Sequence, residues 1–252
     1  MIKLFRNIRQ SLLADGKTSK YLKYAIGEIF LVVIGILIAL QINNWNSTQN
    51  KKKQLDAIYN TIEENLVTDL KNIKVPIDFY ENLDRTLTTI LTTTYPSSFI
   101  DSINEDNYLE CIPCKSNINR YESFEKQDNG IELLKKYEDD ESVEGTDFSK
   151  EILQFYSIRG YRLSYFIDFI TNETYTNLKS YEQFPWYADY SINKYNKEAI
   201  SYFLNDQNYK NKAANFKIFI GRNYLSMLKD YEKAAAEIIA KINNRRQNKL
   251  VK

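Results

Sequence analysis

Residues 24–45, YAIGEIFLVVIGILIALQINNW, hold a single charge, Glu28, in 22 positions. A helix of this length rises roughly 33 Å at about 1.5 Å per residue, enough to cross a hydrocarbon core of about 30 Å. The strictly apolar part, residues 29–40, is shorter, and taken alone it also fits a buried helix or the h-region of a signal peptide. The flanks favour a span. Tyr24 and Trp45 stand at its two ends as interfacial aromatic anchors, and LQINNW at 40–45 lacks the small residues of a cleavage site. We read an uncleaved single-pass anchor, with a cleaved signal peptide as the rival.

Orientation follows from the charges on either side. Lys3, Arg6, Arg9, Lys17, Lys20 and Lys23 precede the span against only Asp15, whereas Lys51, Lys52 and Lys53 after it are soon diluted by Asp56, Glu63 and Glu64. The positive-inside bias then places residues 1–23 in the cytoplasm, 24–45 in a bacterial inner membrane, and 46–252 in the periplasm. Within the first segment Ile2, Phe5, Ile8 and Leu12 fall at helical spacing, with Gly16 able to end the helix. This pattern suits a basic amphipathic helix on an anionic leaflet and equally an ordinary basic topology flank. Either way it is short for a cytoplasmic output domain, so a signal is expected to pass through a partner.

Composition bounds the exported part. Seven Gly and four Pro in 252 residues, with 43% hydrophobic and 27% charged residues, disfavour turn-rich sandwiches and disorder. The net charge of +1 leaves no basic footprint for nucleic acid, and the 20 Tyr read as compositional bias rather than stacking platforms. Apolar residues recur at helical steps from Leu55 through Ile58, Ile62, Leu66 and Leu70 to Ile73, and again from Ile77 through Tyr80, Leu83 and Leu87 to Leu91. With Pro76 restarting the chain, the two runs are expected to form an antiparallel hairpin. A third helix is expected between Ser149 and Glu182, capped by Asp147 or Ser149 and weakened at Gly160. A fourth follows the stripe Ala213, Phe216, Ile220, Tyr224, Met227, Tyr231, Ala235, Ile238 and Ile242. The expected fold is all-α: one transmembrane helix continuing into an up-down bundle of four long helices with an irregular central insertion.

That insertion, residues 97–148, contains NRYESFEKQDNGIELL, read as a helix, a left-handed stop at Gly130 and a short helix. The acidic run Glu138, Asp139, Asp140, Glu141, Glu144 and Asp147 matches a calcium loop poorly and reads as a solvated loop. The block IRQSLLADGKTSKYLKYAIGEIFLVVIGILIALQINNWN, and more weakly YESFEKQDNGIELL, resemble an uncharacterised family of single-pass membrane proteins of Bacteroidota, the domain of unknown function 6090. The resemblance implies the same topology and brings no known activity, catalytic residue or ligand.

Cys111-Ile112-Pro113-Cys114 is the motif that invites chemistry. A redox pair needs a strand-to-helix setting that is not evident around it, and two thiolates without any His do not complete a usual zinc site. A local disulfide in an oxidising compartment is the first reading, closing a ring too small to restrain much chain entropy; free thiols and a thiol redox protein remain behind it. The absence of His removes the commonest general base, and no nucleophile elbow, phosphate loop or dinucleotide fingerprint occurs. No enzymatic activity, cofactor or metal is therefore expected. Within the span, Gly27, Gly35 and Ala39 share a stripe where a second helix could approach, and Glu28 is placed either to snorkel or to meet a partner. The expected partners are membrane lipid and a protein or a second copy of the chain. Protein interaction or sensing is the functional expectation, with a binding domain for a small molecule or envelope component as the alternative.

Overall fold

The computed structural model describes residues 18–139 and 146–250. The amphipathic pattern at Ile2 to Leu12, the acidic positions Asp140, Glu141 and Glu144, and the side chain of Tyr24 lie outside the description. Among the described residues every regular element is helical. The long elements are α1 (Thr18–Asn72), α2 (Lys74–Thr92), α5 (Asp147–Phe155), α6 (Tyr161–Lys179), α9 (Gln207–Lys217) and α10 (Leu225–Leu250). Shorter ones are α3 (Ser97–Ser102), α4 (Asn129–Glu138), α7 (Tyr187–Ser191) and α8 (Lys197–Asn205). The chain divides into two compact units between Ala57 and Ile58.

In the first unit α1 is long and apolar enough to cross a membrane, and none of its apolar window is buried. Phe30 is 68% exposed and Ile34 44%. Side chains all round the helix are apolar, so no single face could be covered by one neighbour.

The second unit corrects the expected hairpin. The Ile73 amide donates to the Asp69 carbonyl at 2.8 Å, and the Ile77 amide donates to the Ile73 carbonyl at 3.1 Å. Ile73 itself has helical dihedrals, φ −65° and ψ −19°. α1 therefore runs on into α2 without reversing. Pro76 falls in the first turn of α2, where a missing amide costs no helical bond and a fixed φ suits the helix. The two stripes are one: Ile58, Ile62, Leu66, Ile73, Ile77, Tyr80, Leu83, Leu87 and Ile90 are all buried.

The expected third and fourth helices also form, each with a wider turn inside. A π segment, Tyr156–Gly160, joins α5 to α6, and another, Ile218–Tyr224, joins α9 to α10. Thr146, rather than Asp147 or Ser149, caps α5: its hydroxyl accepts from the Ser149 amide at 3.0 Å. In the last run Leu228 occupies the core and Met227 is only half-buried, because the π segment holds Phe216, Ile220, Tyr224 and Leu228 four residues apart.

Ion pairs fix the directions. Glu63 with Arg246, Lys74 with Glu232 at 2.6 Å and Asp84 with Lys217 set the first run antiparallel to the last. Glu151 with Lys241 and Arg159 with Asp230 at 2.9 Å do the same for the 147–179 run. Three long helical runs thus form the core of this unit, the first two pointing the same way.

Two parallel runs need a return path, and residues 115–128 supply it without regular structure. The expected helix at NRYESFEK is absent. A buried chain outside helix or sheet must find partners for its amides elsewhere, and the flanking helices provide them. The Tyr80 hydroxyl donates to the Glu122 carbonyl at 2.9 Å and accepts from the Glu122 amide at 3.1 Å. Asp69 accepts from the Gln127 amide at 2.9 Å, Asn65 from the Gly130 amide at 2.7 Å, and Tyr209 from the Asn117 amide at 2.9 Å. Gly130 begins α4 rather than stopping a helix. A Cβ there would lie 2.9 Å from the Ile62 Cα and amide nitrogen, so glycine allows backbone to meet backbone.

Candidate functional site

Among the described residues, Asp69 is the carboxylate residue buried in the second unit. Asp69 is fully buried, accepting from the Tyr231 hydroxyl at 2.6 Å as well as from Gln127. Burial raises its pKa above the ordinary carboxylate value, outweighing these two hydrogen bonds. Burial likewise keeps the core tyrosines neutral, with Tyr202 pushed up to about 12. The Tyr156 hydroxyl is buried without a hydrogen-bond partner. Its ring lines a groove of about 550 Å3 in which Lys126 pairs with Asp128 and Lys135 with Glu132 at 2.7 Å, so the charges there cancel.

The charges do not cancel in a second groove, of about 360 Å3, between the 156–164 and 222–230 stretches. Arg159, Arg162 and Arg222 line it with Asn223, Ser226 and Asp230. The Arg159 Nε donates to Asp230 Oδ2 at 2.9 Å. Among the described residues, Arg162 and Arg222 have no acidic partner within ion-pair distance. Arg159 lies in the first π segment and Arg222 in the second, and π turns inside α-helices frequently mark functional sites. The second segment contains Gly221, where any Cβ would collide with the Asp84 carboxylate that Lys217 holds. Beside Arg162, Tyr161 and Tyr165 are exposed with their rings stacked at 6.2 Å. Arg222 lies some 60 positions after Arg159 and Arg162, and no local motif signals their meeting; at Gly160 the sequence shows only a weak point in a helix.

The cysteines lie elsewhere. Cys111, between two single 3-10 turns, and Cys114, the last residue of the second, are joined by a disulfide with Cα atoms 5.3 Å apart. Cys114 packs in a small core with Ile100, Ile103, Tyr108, Ile200 and Leu204. The motif opens no α-helix, so no helix N-terminus faces the first sulfur. Among the described residues no group of three His, Cys, Asp or Glu side chains is placed to hold a metal.

The residues singled out in the apolar helix share α1. Nothing lies within 4 Å of a Cβ built at Gly27 or Gly35, Glu28 is half-exposed, and Ala39 and Trp45 are exposed.

No curated protein and no solved structure matches this chain. Residues 28–93 match the model of a family of unknown function (DUF6090). This segment starts within the apolar helix and ends at Thr93, the C-cap of α2, leaving YESFEKQDNGIELL beyond it.

Proposed function

We propose that this protein is a membrane-anchored helical domain, exported from the cytoplasm, that acts by protein interaction or sensing through a partner. One observation carries the reading: the apolar side chains of residues 29–40 are exposed on every side, while the unit from Ile58 onward fills a core of its own. Such a helix is stable in lipid and costly in water. The excess of Lys and Arg before Tyr24 supports an N-terminus in the cytoplasm and a domain in the periplasm. The two grooves described above are partly open, which supports contact with a partner over capture of a buried small molecule.

The test is a topology and crosslinking experiment in native membranes. A reporter fused after Lys252 should read as exported, external protease should remove the domain, and crosslinking should give a discrete larger species. A cytoplasmic reporter, or release of the chain into the soluble fraction, overturns the reading.

A further inference from the structure

We propose that the groove between the two π segments is a binding site for a dianionic phosphate group. Three guanidinium groups and one carboxylate line it, leaving an excess of two positive charges in a chain that is otherwise nearly balanced, with 34 basic and 33 acidic residues. Asp230 engages Arg159 at 2.9 Å and so fixes one side of the groove. Arg162 and Arg222 come from different helices, face the same space and have no counter-charge among the described residues. Like charges brought together cost free energy unless an anion joins them. A carboxylate would neutralise one of the two; a phosphate monoester neutralises both. Planar guanidinium forks match phosphate oxygens in pairs, and the Ser226 hydroxyl and Asn223 amide add neutral donors at the wall.

The geometry of the helices supports a built site. Arg159 and Arg222 line the groove from the two π turns, and Arg162, Ser226 and Asp230 follow them on the adjoining α-helices. The phosphate could belong to a soluble ester or to a lipid headgroup, and the same three arginines would hold either.

The full chain in detergent micelles, titrated with inorganic phosphate at low salt, tests the site by thermal shift and by the NMR shifts of the arginine Nε–H groups. Phosphate should stabilise the wild type and move the Arg162 and Arg222 signals, and added sodium chloride should weaken the effect. Arg162→Gln and Arg222→Gln should each weaken binding about tenfold or more, while Lys229→Gln, outside the groove, should bind as the wild type does. Dihexanoyl phosphatidic acid distinguishes the source: much tighter binding than phosphate assigns a lipid headgroup, and equal binding assigns a soluble ester. Acetate as effective as phosphate, wild-type affinity in the Arg162→Gln/Arg222→Gln double variant, or no response of the wild type overturns the proposal. Because all arms use solubilised protein, they stand or fall separately from the membrane topology.

Discussion

Residues 29–40 and 58–90 lie in one continuous helical run, yet they treat the same apolar side chains in opposite ways. Ile34 is 44% exposed, whereas Leu66 is fully buried. Both stretches are helical because leucine, isoleucine and the straight-chain polar residues all tolerate helix. What differs is angular distribution. Apolar groups surround the first stretch, whereas in the second they form a stripe with Lys, Glu, Asp and Asn on the other side. The second is covered by neighbouring helices, whereas the apolar side chains of the first are exposed all round.

The sharpest way to break this contrast is to place the same charge in each stretch. Leu66→Asp should destabilise the domain by about 4 kcal/mol or more, because a buried carboxylate with no partner replaces a packed side chain. Ile34→Asp should leave thermal unfolding of the domain unchanged but weaken membrane insertion by about 3 kcal/mol. Chemical denaturation and membrane fractionation of both variants check the pair. Loss of the fold in Ile34→Asp would mean that the span supports the domain's core.

Asp69 sharpens the contrast, since the buried stripe does accept one carboxylate. Asp69→Ala should cost about 3 kcal/mol, leaving the Gln127 amide and Tyr231 hydroxyl buried and unpaired. Burial raises the folded pKa of Asp69 above its unfolded value. Its favourable contribution is therefore complete below the ordinary carboxylate pKa and is lost as pH rises through the folded value. Wild type should gain stability over Asp69→Asn as pH falls from neutral into the carboxylate range, measured as the difference in urea midpoints. A difference that shrinks on acidification would show that the two hydrogen bonds outweigh burial.

Smaller effects are expected where restraint is local. Replacing both Cys111 and Cys114 by Ser should cost about 2 kcal/mol or less, since the ring is short, with helicity by circular dichroism retained. Tyr80→Phe should cost about 1 kcal/mol by releasing both of its bonds to the Glu122 peptide. Faster hydrogen exchange should then appear around residues 120–128 but not in α2.

The helical class and its long runs were legible in the sequence because hydrophobic periodicity reports which face of an element is buried. The stripes at 55–73, 77–91 and 213–242 sit in helices whose inward faces they mark, with Ile90 in the core in place of Leu91, Leu228 in place of Met227, and Leu70 only half-buried. Pro76 misled, because proline ends a helix only where its missing amide would have been bonded, and in a first turn it is not. Nothing local marks Asp69 as buried, since the hydroxyl that donates to it belongs to Tyr231, 162 positions away. YESFEKQD carries helix-forming residues and still takes no regular structure, because Tyr80 and Asp69 satisfy its backbone in place of helical bonds.

By itself the sequence determined which segment is long and apolar enough to cross a membrane, which long segments are helices, and which faces those helices bury, since these follow from composition and local periodicity. The tertiary structure alone decided that the first two helical runs are one, that an irregular strap returns the chain between parallel runs, and that Arg159, Arg162 and Arg222 share a groove. These depend on contacts between residues far apart in the chain, whose free energy is absent from any local window.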